Sequence, residues 1–139
     1  MLTVLIVEDN LSIAELLQDV LECDGYNVIG VARTIDDAVL LTRQHRPDVA
    51  IVDVQLEDGE SGTDLRASIG ETNCPGIMFS TGNGSDEAFL APYGDAVMTK
   101  PYRLDDVGQG LQIVNEIARR GRTDIPFPQS FRLLAPVTA

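Results

Sequence analysis

Short apolar runs recur along the chain, and most of them end on polar residues. The run Val49-Ala50-Ile51-Val52 is the clearest, because it is continuous and stops abruptly at Asp53. A continuous apolar run with polar boundaries is typical of a strand that is buried on both faces inside a parallel sheet. By this criterion the sequence predicts five strands, over residues 2–7, 26–32, 48–54, 75–80 and 96–99.

Between these runs the spacing of the apolar residues becomes that of amphipathic helices. After Leu11, apolar side chains recur at helical intervals, which predicts a helix with one buried face; they are Ile13, Leu16, Leu17, Val20 and Leu21. Thr34 opens a second helix with a polar capping pattern, and this helix should end before Pro47. Three further helices are predicted over residues 63–69, 86–91 and 105–120.

Strands and helices therefore alternate five times along the chain. This alternation is typical of a doubly wound α/β fold, in which right-handed crossovers place helices on both faces of a parallel sheet. We expect a flavodoxin-like, three-layer sandwich with five helices and five parallel strands in the order 2-1-3-4-5. We expect residues 1–120 to form this single domain.

Residues 121–139 differ from the rest of the chain because they contain several prolines and little periodicity. These prolines are Pro126, Pro128 and Pro136. The segment is too short for an output domain, and it is also too apolar for a simple disordered tail, with Phe127, Phe131, Leu133 and Leu134. We expect it to dock on its own domain, on a partner, or on a second copy in a homodimer.

Acidic residues outnumber basic ones by 22 to 10, which gives a net charge of −12. The field of the whole protein therefore repels nucleic-acid backbones and anionic membrane surfaces, and it favours divalent cations where carboxylates converge. The segment Met1-Leu2-Thr3-Val4 lacks the basic region of a secretory leader, and no apolar run approaches the roughly 18 residues that a membrane span needs. We expect a cytoplasmic protein with neither nucleic acid nor membrane as a partner.

Polar side chains follow the predicted strands, at the edge where parallel α/β sheets bind ligands. They are Glu8 and Asp9 after strand 1, Asp53 after strand 3, Ser80 or Thr81 after strand 4, and Lys100 after strand 5. In the order 2-1-3-4-5, strands 1 and 3 are neighbours at the switch point, so the three acids should meet there. Crowded carboxylates without Cys or His suit Mg²⁺, and a hydroxyl and a lysine beside them suit a phosphoryl group. Asp53 is then a candidate nucleophile.

This set of strand ends resembles the receiver domain of two-component response regulators over about residues 2–120. The resemblance is carried by Glu8-Asp9, by Asp53 and the glycine-bearing loop after it, by Ser80-Thr81-Gly82 and by Lys100-Pro101. It implies that Asp53 accepts a phosphoryl group from a histidine kinase or a phosphotransfer protein. It also implies an unidentified downstream protein whose binding changes with phosphorylation.

The resemblance also implies roles for the neighbouring residues. Asp9, Asp53 and the backbone carbonyl of Gln55 would hold Mg²⁺, and Glu8 would act on the ion through a bound water. Lys100 would contact the phosphoryl oxygens, and Thr81, or alternatively Ser80, would swing its hydroxyl toward them. These expectations are completed by two predictions, a cis peptide before Pro101 that aims Lys100 and a role for Gln55 and Asn83 in tuning hydrolysis of the acyl phosphate.

Three positions depart from the usual pattern of the family. Val97 stands where many receivers carry an aromatic switch residue, Glu57 stands where proline is common, and the stretch between Thr81 and Lys100 is short. An alternative hypothesis is therefore a receiver-like interaction module that works independently of phosphorylation. A phosphohydrolase is disfavoured, because Gln55 occupies the place of a second acid that such enzymes use for general acid/base catalysis.

Overall fold

A six-stranded sheet organises the molecule. The computed structural model describes residues 2–56, 59–70, 73–82 and 87–134. Within these residues the strand order is β2-β1-β3-β4-β5-β6, and β1 to β5 run parallel to one another. The strands are β1 (Thr3–Val7), β2 (Asn27–Ala32), β3 (Val49–Asp53), β4 (Gly76–Thr81), β5 (Ala96–Thr99) and β6 (Phe131–Leu133).

The described residues form five α-helices, which alternate with the five parallel strands as the apolar pattern predicts. They are α1 (Leu11–Cys23), α2 (Ile35–His45), α3 (Leu65–Ile69), α4 (Glu87–Leu90) and α5 (Asp105–Arg120), with short 3-10 turns over Gly62–Asp64 and Ala91–Tyr93. Side chains cap the first two helices, because the Asn10 amide oxygen accepts the Ile13 N–H and the Thr34 hydroxyl accepts the Asp37 N–H. The helix predicted over residues 86–91 is shorter in the structure, and its first residue lies outside the described part of the chain.

The predicted order of the five parallel strands is confirmed, but the prediction of a five-stranded sheet is wrong. The last strand, β6, comes from the C-terminal segment and pairs antiparallel with β5. Its register places Phe131 opposite Met98 and Leu133 opposite Ala96. The C-terminal segment, residues 121–134, therefore docks on its own domain and covers the sheet edge that β5 would otherwise expose.

The core has two layers, one on each face of the sheet. Side chains of α1 and α5, such as Leu17 and Leu111, pack on one face. Side chains of α2, α3 and α4 pack on the other face, where Leu65 and Leu90 are fully buried. With the sheet between them, these layers form the predicted three-layer sandwich.

The apolar stripe of α1 is only partly buried. Ala14, Leu17 and Leu21 face the core, but Leu16 is about half exposed. The apolar spacing overestimates the buried face because the sheet covers a narrower strip of this helix. None of the helices in the described residues is long and apolar enough to cross a membrane.

Candidate functional site

Three carboxylates from two strands converge at the carboxyl end of the sheet. Glu8 and Asp9 follow β1, and Asp53 is the last residue of its neighbour β3. One carboxylate oxygen from each residue lies within 4.8 Å of the others. The backbone N–H of Glu8 donates to the Ala32 carbonyl of β2 over 2.9 Å, so the sheet itself holds this cluster in place.

Glu8 is the buried member of the cluster, with 3% of its surface exposed. Burial and the nearby negative charge of Asp53 raise the pKa of Glu8 from 4.5 to about 7, although a hydrogen bond from the Asn10 N–H opposes the shift. A carboxyl group with this pKa is only partly ionised at neutral pH, because burial destabilises its charged form. A bound cation would remove that penalty.

The chemistry of the cluster fits Mg²⁺. Three carboxylates supply hard oxygen atoms close enough together to face one ion, and neither Cys nor His belongs to the cluster. Mg²⁺ prefers such oxygen ligands and keeps several of its waters, which leaves room for a phosphoryl oxygen.

Asp53 lies between the other two acids of the cluster and the ammonium group of Lys100. Its Oδ1 accepts the backbone N–H of Gln55 over 3.0 Å, and its Oδ2 lies 3.7 Å from the Nζ atom of Lys100. Its side chain is 14% exposed, so one face remains open to an incoming group. A carboxylate that is oriented by one donor and accompanied by a lysine is well placed for attack on a phosphoryl group.

The loop after Asp53 folds tightly back onto β3. The N–H of Gly62 donates to the Val54 carbonyl over 2.9 Å, and Gln55 forms a bridge with Ser61. A Cβ atom at Gly62 would collide with the backbone carbonyl of Asp53, so this close return requires glycine. The loop thereby holds the backbone of Gln55 beside the acidic cluster.

Lys100 comes directly after β5. Its N–H donates to the Thr81 carbonyl over 2.7 Å, and its peptide bond to Pro101 is cis. Thr81 ends β4 and lies opposite Thr99 in the register of the two strands. The sheet therefore brings together Asp53, Thr81 and Lys100, whose positions in the sequence are far apart.

Tyr102 joins the site although its sequence position did not single it out. Its hydroxyl lies 2.9 Å from the Ser80 hydroxyl. Burial raises the pKa of the Tyr102 hydroxyl, and the acids Glu8 and Asp53 are close enough to add to this shift. The tyrosine follows Lys-Pro directly, which is the signal that could have identified it. Ser80 is thus paired with Tyr102, whereas the Thr81 hydroxyl donates to the carbonyl of its neighbour Gly82 over 3.3 Å.

The structure describes Val97, but not Asn83 or Glu57, among the remaining positions that the sequence analysis singled out. Val97 is 2% exposed and belongs to the core layer under α2, α3 and α4, so its side chain is a packing residue. Asn83, predicted to tune hydrolysis, lies outside the described residues, as does Glu57.

Comparison with known proteins agrees with this geometry. The family model described as response regulator receiver domain matches residues 4–111. The phyllosphere-induced regulator PhyR of Methylorubrum extorquens is 40% identical over 108 residues, which cover 75% of this chain and 40% of PhyR. The KDP operon transcriptional regulatory protein KdpE of Escherichia coli is 29% identical over 130 residues, which cover 92% of this chain and 56% of KdpE. The chain thus spans roughly half the length of these two relatives.

A solved structure extends the likeness to three dimensions. The signal receiver domain of a modulated diguanylate cyclase from Desulfovibrio desulfuricans matches with a TM-score of 0.72 and 29% identity, over 86% of this chain and 98% of that one. The family match covers most of the chain and includes the strand ends that carry the acidic cluster and Lys100. The chain therefore belongs to the response regulator receiver domain family of two-component systems.

Proposed function

We propose that Asp53 is the phosphoacceptor of a Mg²⁺-dependent signalling switch. The observation that carries this proposal is the position of Asp53, which shares the acidic cluster with Glu8 and Asp9 and lies 3.7 Å from the Lys100 ammonium. A carboxylate oxygen of Asp53 attacks phosphorus and forms an acyl phosphate. The bond from phosphorus to the donor breaks, and the donor atom leaves with the bonding electrons.

Asp9, Asp53 and the backbone carbonyl of Gln55 would hold the Mg²⁺ ion, and Glu8 would act through a bound water. The ion supplies positive charge that neutralises the carboxylates and the phosphoryl oxygens. The tight loop that ends at Gly62 supports this assignment, because it keeps the Gln55 backbone close to Asp53.

Lys100 and Thr81 would contact the phosphoryl oxygens from the other side. Lys100 already reaches Asp53, and its main chain is hydrogen-bonded to that of Thr81. Thr81 is favoured over Ser80 as the switch hydroxyl, because the Ser80 hydroxyl pairs with Tyr102. Movement of Thr81 and Lys100 toward the phosphate then shifts an equilibrium between two conformations of the domain.

The phosphodonor would be a phosphohistidine of a histidine kinase or phosphotransfer protein, and a downstream protein would read the phosphorylated state. Catalysis of phosphorylation belongs to the receiver itself in this scheme, with slow autodephosphorylation tuned by Gln55 and Asn83. The net charge of −12 supports a protein partner over a nucleic acid.

The experiment is incubation with acetyl phosphate and Mg²⁺, followed by the intact mass of the protein. We expect the mass to increase by one phosphoryl group. The increase should be absent when the metal is chelated before the reaction, and it should be absent in Asp53→Asn. Asp48→Asn is the matched control, because Asp48 lies at the opposite end of β3 and its variant should keep the gain. No gain in the wild type, or a gain that survives Asp53→Asn, would contradict the proposal.

The second candidate is an interaction module that works without phosphorylation, which the packing of Val97 in the core favours. Because Val97 is not aromatic, the switch hydroxyl cannot couple to an aromatic side chain at this position, as it does in many receivers according to the family resemblance. This candidate predicts that a partner binds with the same affinity in the presence and absence of beryllofluoride, a mimic of the phosphoryl group. The switch predicts that the affinity changes.

A further inference from the structure

The C-terminal segment is built into the domain through both faces of β6. Phe131, which is 4% exposed, belongs to the core layer under α1 and α5, and Leu134 belongs to the opposite layer. Main-chain hydrogen bonds join β6 to β5, and the Leu134 N–H donates to the Asp95 carbonyl over 2.9 Å. The segment is therefore anchored at its apolar side chains and along its backbone.

Helix α5 is shaped to receive this segment. A Cβ atom at Gly110 would lie 3.0 Å from the Phe131 ring and 2.8 Å from the Met78 sulfur, so the ring packs where a side chain is missing from the helix. The side chain of Gln109 donates to the Pro126 carbonyl, and the Thr123 hydroxyl donates to Glu116 over 2.8 Å. Residues 121–130 thus run back along α5 before β6 begins.

The segment meets the main chain on both sides of Lys100. The N–H of Thr99, the preceding residue, donates to the Ser130 carbonyl over 3.1 Å. The Ser130 hydroxyl donates to the carbonyl of Pro101, the following residue, over 3.4 Å. A cavity of about 410 Å³ beside this contact is lined by Lys100, Ser130 and Arg132, among others. Ser130 therefore contacts the main chain of both neighbours of Lys100, the residue whose ammonium group lies close to Asp53.

A second contact ties β6 to the other side of the site. The Nε atom of Arg132 lies 3.2 Å from a Glu87 carboxylate oxygen at the start of α4, the helix that follows Thr81 in the chain. Both side chains are at least half exposed, so this ion pair contributes little by itself. The contact nevertheless joins β6 to the helix that follows Thr81, in addition to the contacts of the segment beside Lys100.

We infer that β6 is a positioning element for Lys100, with Ser130 as the positioning residue. This inference rests on the proposed function of Asp53 and Lys100. The docked segment holds the backbone on either side of Lys100 in the place from which its ammonium group reaches Asp53. The docked segment favours the position of Lys100 that contacts a phosphoryl group, so docking should accelerate phosphorylation and also raise the affinity for beryllofluoride, a mimic of that group. By reciprocity of the two binding free energies, bound beryllofluoride should strengthen the docking of the segment.

The test compares phosphorylation rates with acetyl phosphate at saturating Mg²⁺ for the wild type and four variants. Phe131→Ala removes the anchor and should slow phosphorylation about tenfold, because a small displacement of a catalytic group has a large effect on rate. Ser130→Ala should slow it about two- to threefold, as expected for one lost hydrogen bond, and Ser130→Thr should restore the rate. Leu133→Ala is the matched control, because Leu133 lies in the same strand but is 37% exposed.

Three measurements separate positioning from general loss of structure. The affinity for Mg²⁺ should stay unchanged in all variants, since none of them touches Glu8, Asp9 or Asp53. In a Lys100→Ala background, Phe131→Ala should slow the reaction no further, because the segment acts through Lys100. Hydrogen exchange at the Thr99 and Leu134 amides should become slower when beryllofluoride binds.

The outcomes decide between this inference and the proposed function. A wild-type chain that gains no phosphoryl group overturns the function itself. A wild-type chain that is phosphorylated while Phe131→Ala reacts at the same rate or faster overturns only the role of β6. If Phe131→Ala does not fold, an unchanged rate in Ser130→Ala overturns it, as does an additive effect of Phe131→Ala on Lys100→Ala.

Discussion

Carboxylates lie at both ends of the central sheet, and the groups around them differ. At the amino end, Asp48 accepts the Thr3 N–H over 2.9 Å and the Thr3 hydroxyl over 3.0 Å, and Arg119 lies 3.3 Å away. Partial burial alone would raise the pKa of Asp48, but these hydrogen bonds and the cation hold it below its usual value. At the carboxyl end, Glu8 faces Asp9 and Asp53, and its pKa is raised to about 7.

The difference separates carboxylates that stabilise the fold from those available for chemistry. The charge of Asp48 is compensated by its neighbours, because Thr3 and Arg119 supply hydrogen-bond donors to both carboxylate oxygens. The acids of the other end repel one another, and such repulsion is a cost to the fold that a cation or a ligand relieves. Removal of a carboxylate should therefore destabilise the fold at the amino end and stabilise it at the carboxyl end.

The largest effect is expected for Lys100→Ala at the carboxyl end. Loss of the ammonium group 3.7 Å from Asp53 should slow phosphorylation by acetyl phosphate about 10²-fold, as for the loss of one preorganised charge-stabilising donor. The control is Arg119→Ala, which removes a cation at the amino end and should leave the rate unchanged. Rates measured by intact mass would contradict the comparison if both variants slowed the reaction equally.

Asp48→Ala should have the next largest effect, on stability alone. It leaves the N–H and hydroxyl of Thr3 without their carboxylate acceptor, so the free energy of unfolding should fall by about 2 kcal/mol. Because the pKa of Asp48 is lowered in the folded state, this contribution is present above pH 3.8 and is lost as the pH falls through the folded value. Denaturant unfolding of wild type and variant across this range measures it.

Glu8→Gln should have a smaller effect of the opposite sign. Without Mg²⁺, the variant should be more stable than the wild type by about 1–2 kcal/mol above pH 7, because it removes a buried charge. A raised acid pKa makes the wild type lose stability as the pH rises from 4.5 through about 7, so the difference should vanish below pH 4.5. Unfolding with and without Mg²⁺ measures it, and the ion should stabilise the wild type more than the variant.

The smallest effect on stability is expected for Arg119→Ala. Its side chain is 67% exposed, and exposed ion pairs contribute little. The free energy of unfolding should fall by at most about 0.5 kcal/mol. The loss is small because the hydrogen bonds from Thr3 to Asp48 remain in this variant. A loss as large as that of Asp48→Ala would show that the cation, rather than the hydrogen bonds, stabilises the amino end.

Much of the fold could be predicted because its signals are local. Strand β5 spans Ala96–Thr99 and helix α5 spans Asp105–Arg120, as the apolar run and the helical spacing predict. The strand β6 has no such signal, since Phe131–Leu133 follows two prolines and is too short to show a period. Its structure depends on a free edge at β5 and on the space above Gly110, which are formed by residues distant in the sequence.

The candidate site divides in the same way. The meeting of Glu8, Asp9 and Asp53 could be predicted because parallel strands 1 and 3 place their carboxyl ends side by side at the switch point. The pairing of Tyr102 with Ser80 could not, because it depends on how the chain turns after Pro101.

The amino-acid sequence is sufficient to predict the order of the parallel strands, the family, and the acids that lie at one end of the sheet. Periodicity and strand-end residues carry this information, because they depend on spacing along the chain. The raised pKa of Glu8 and the contacts of Ser130 on either side of Lys100 depend instead on the folded structure. Burial and long-range hydrogen bonds arise from the packing of segments far apart in sequence, so no local pattern encodes them.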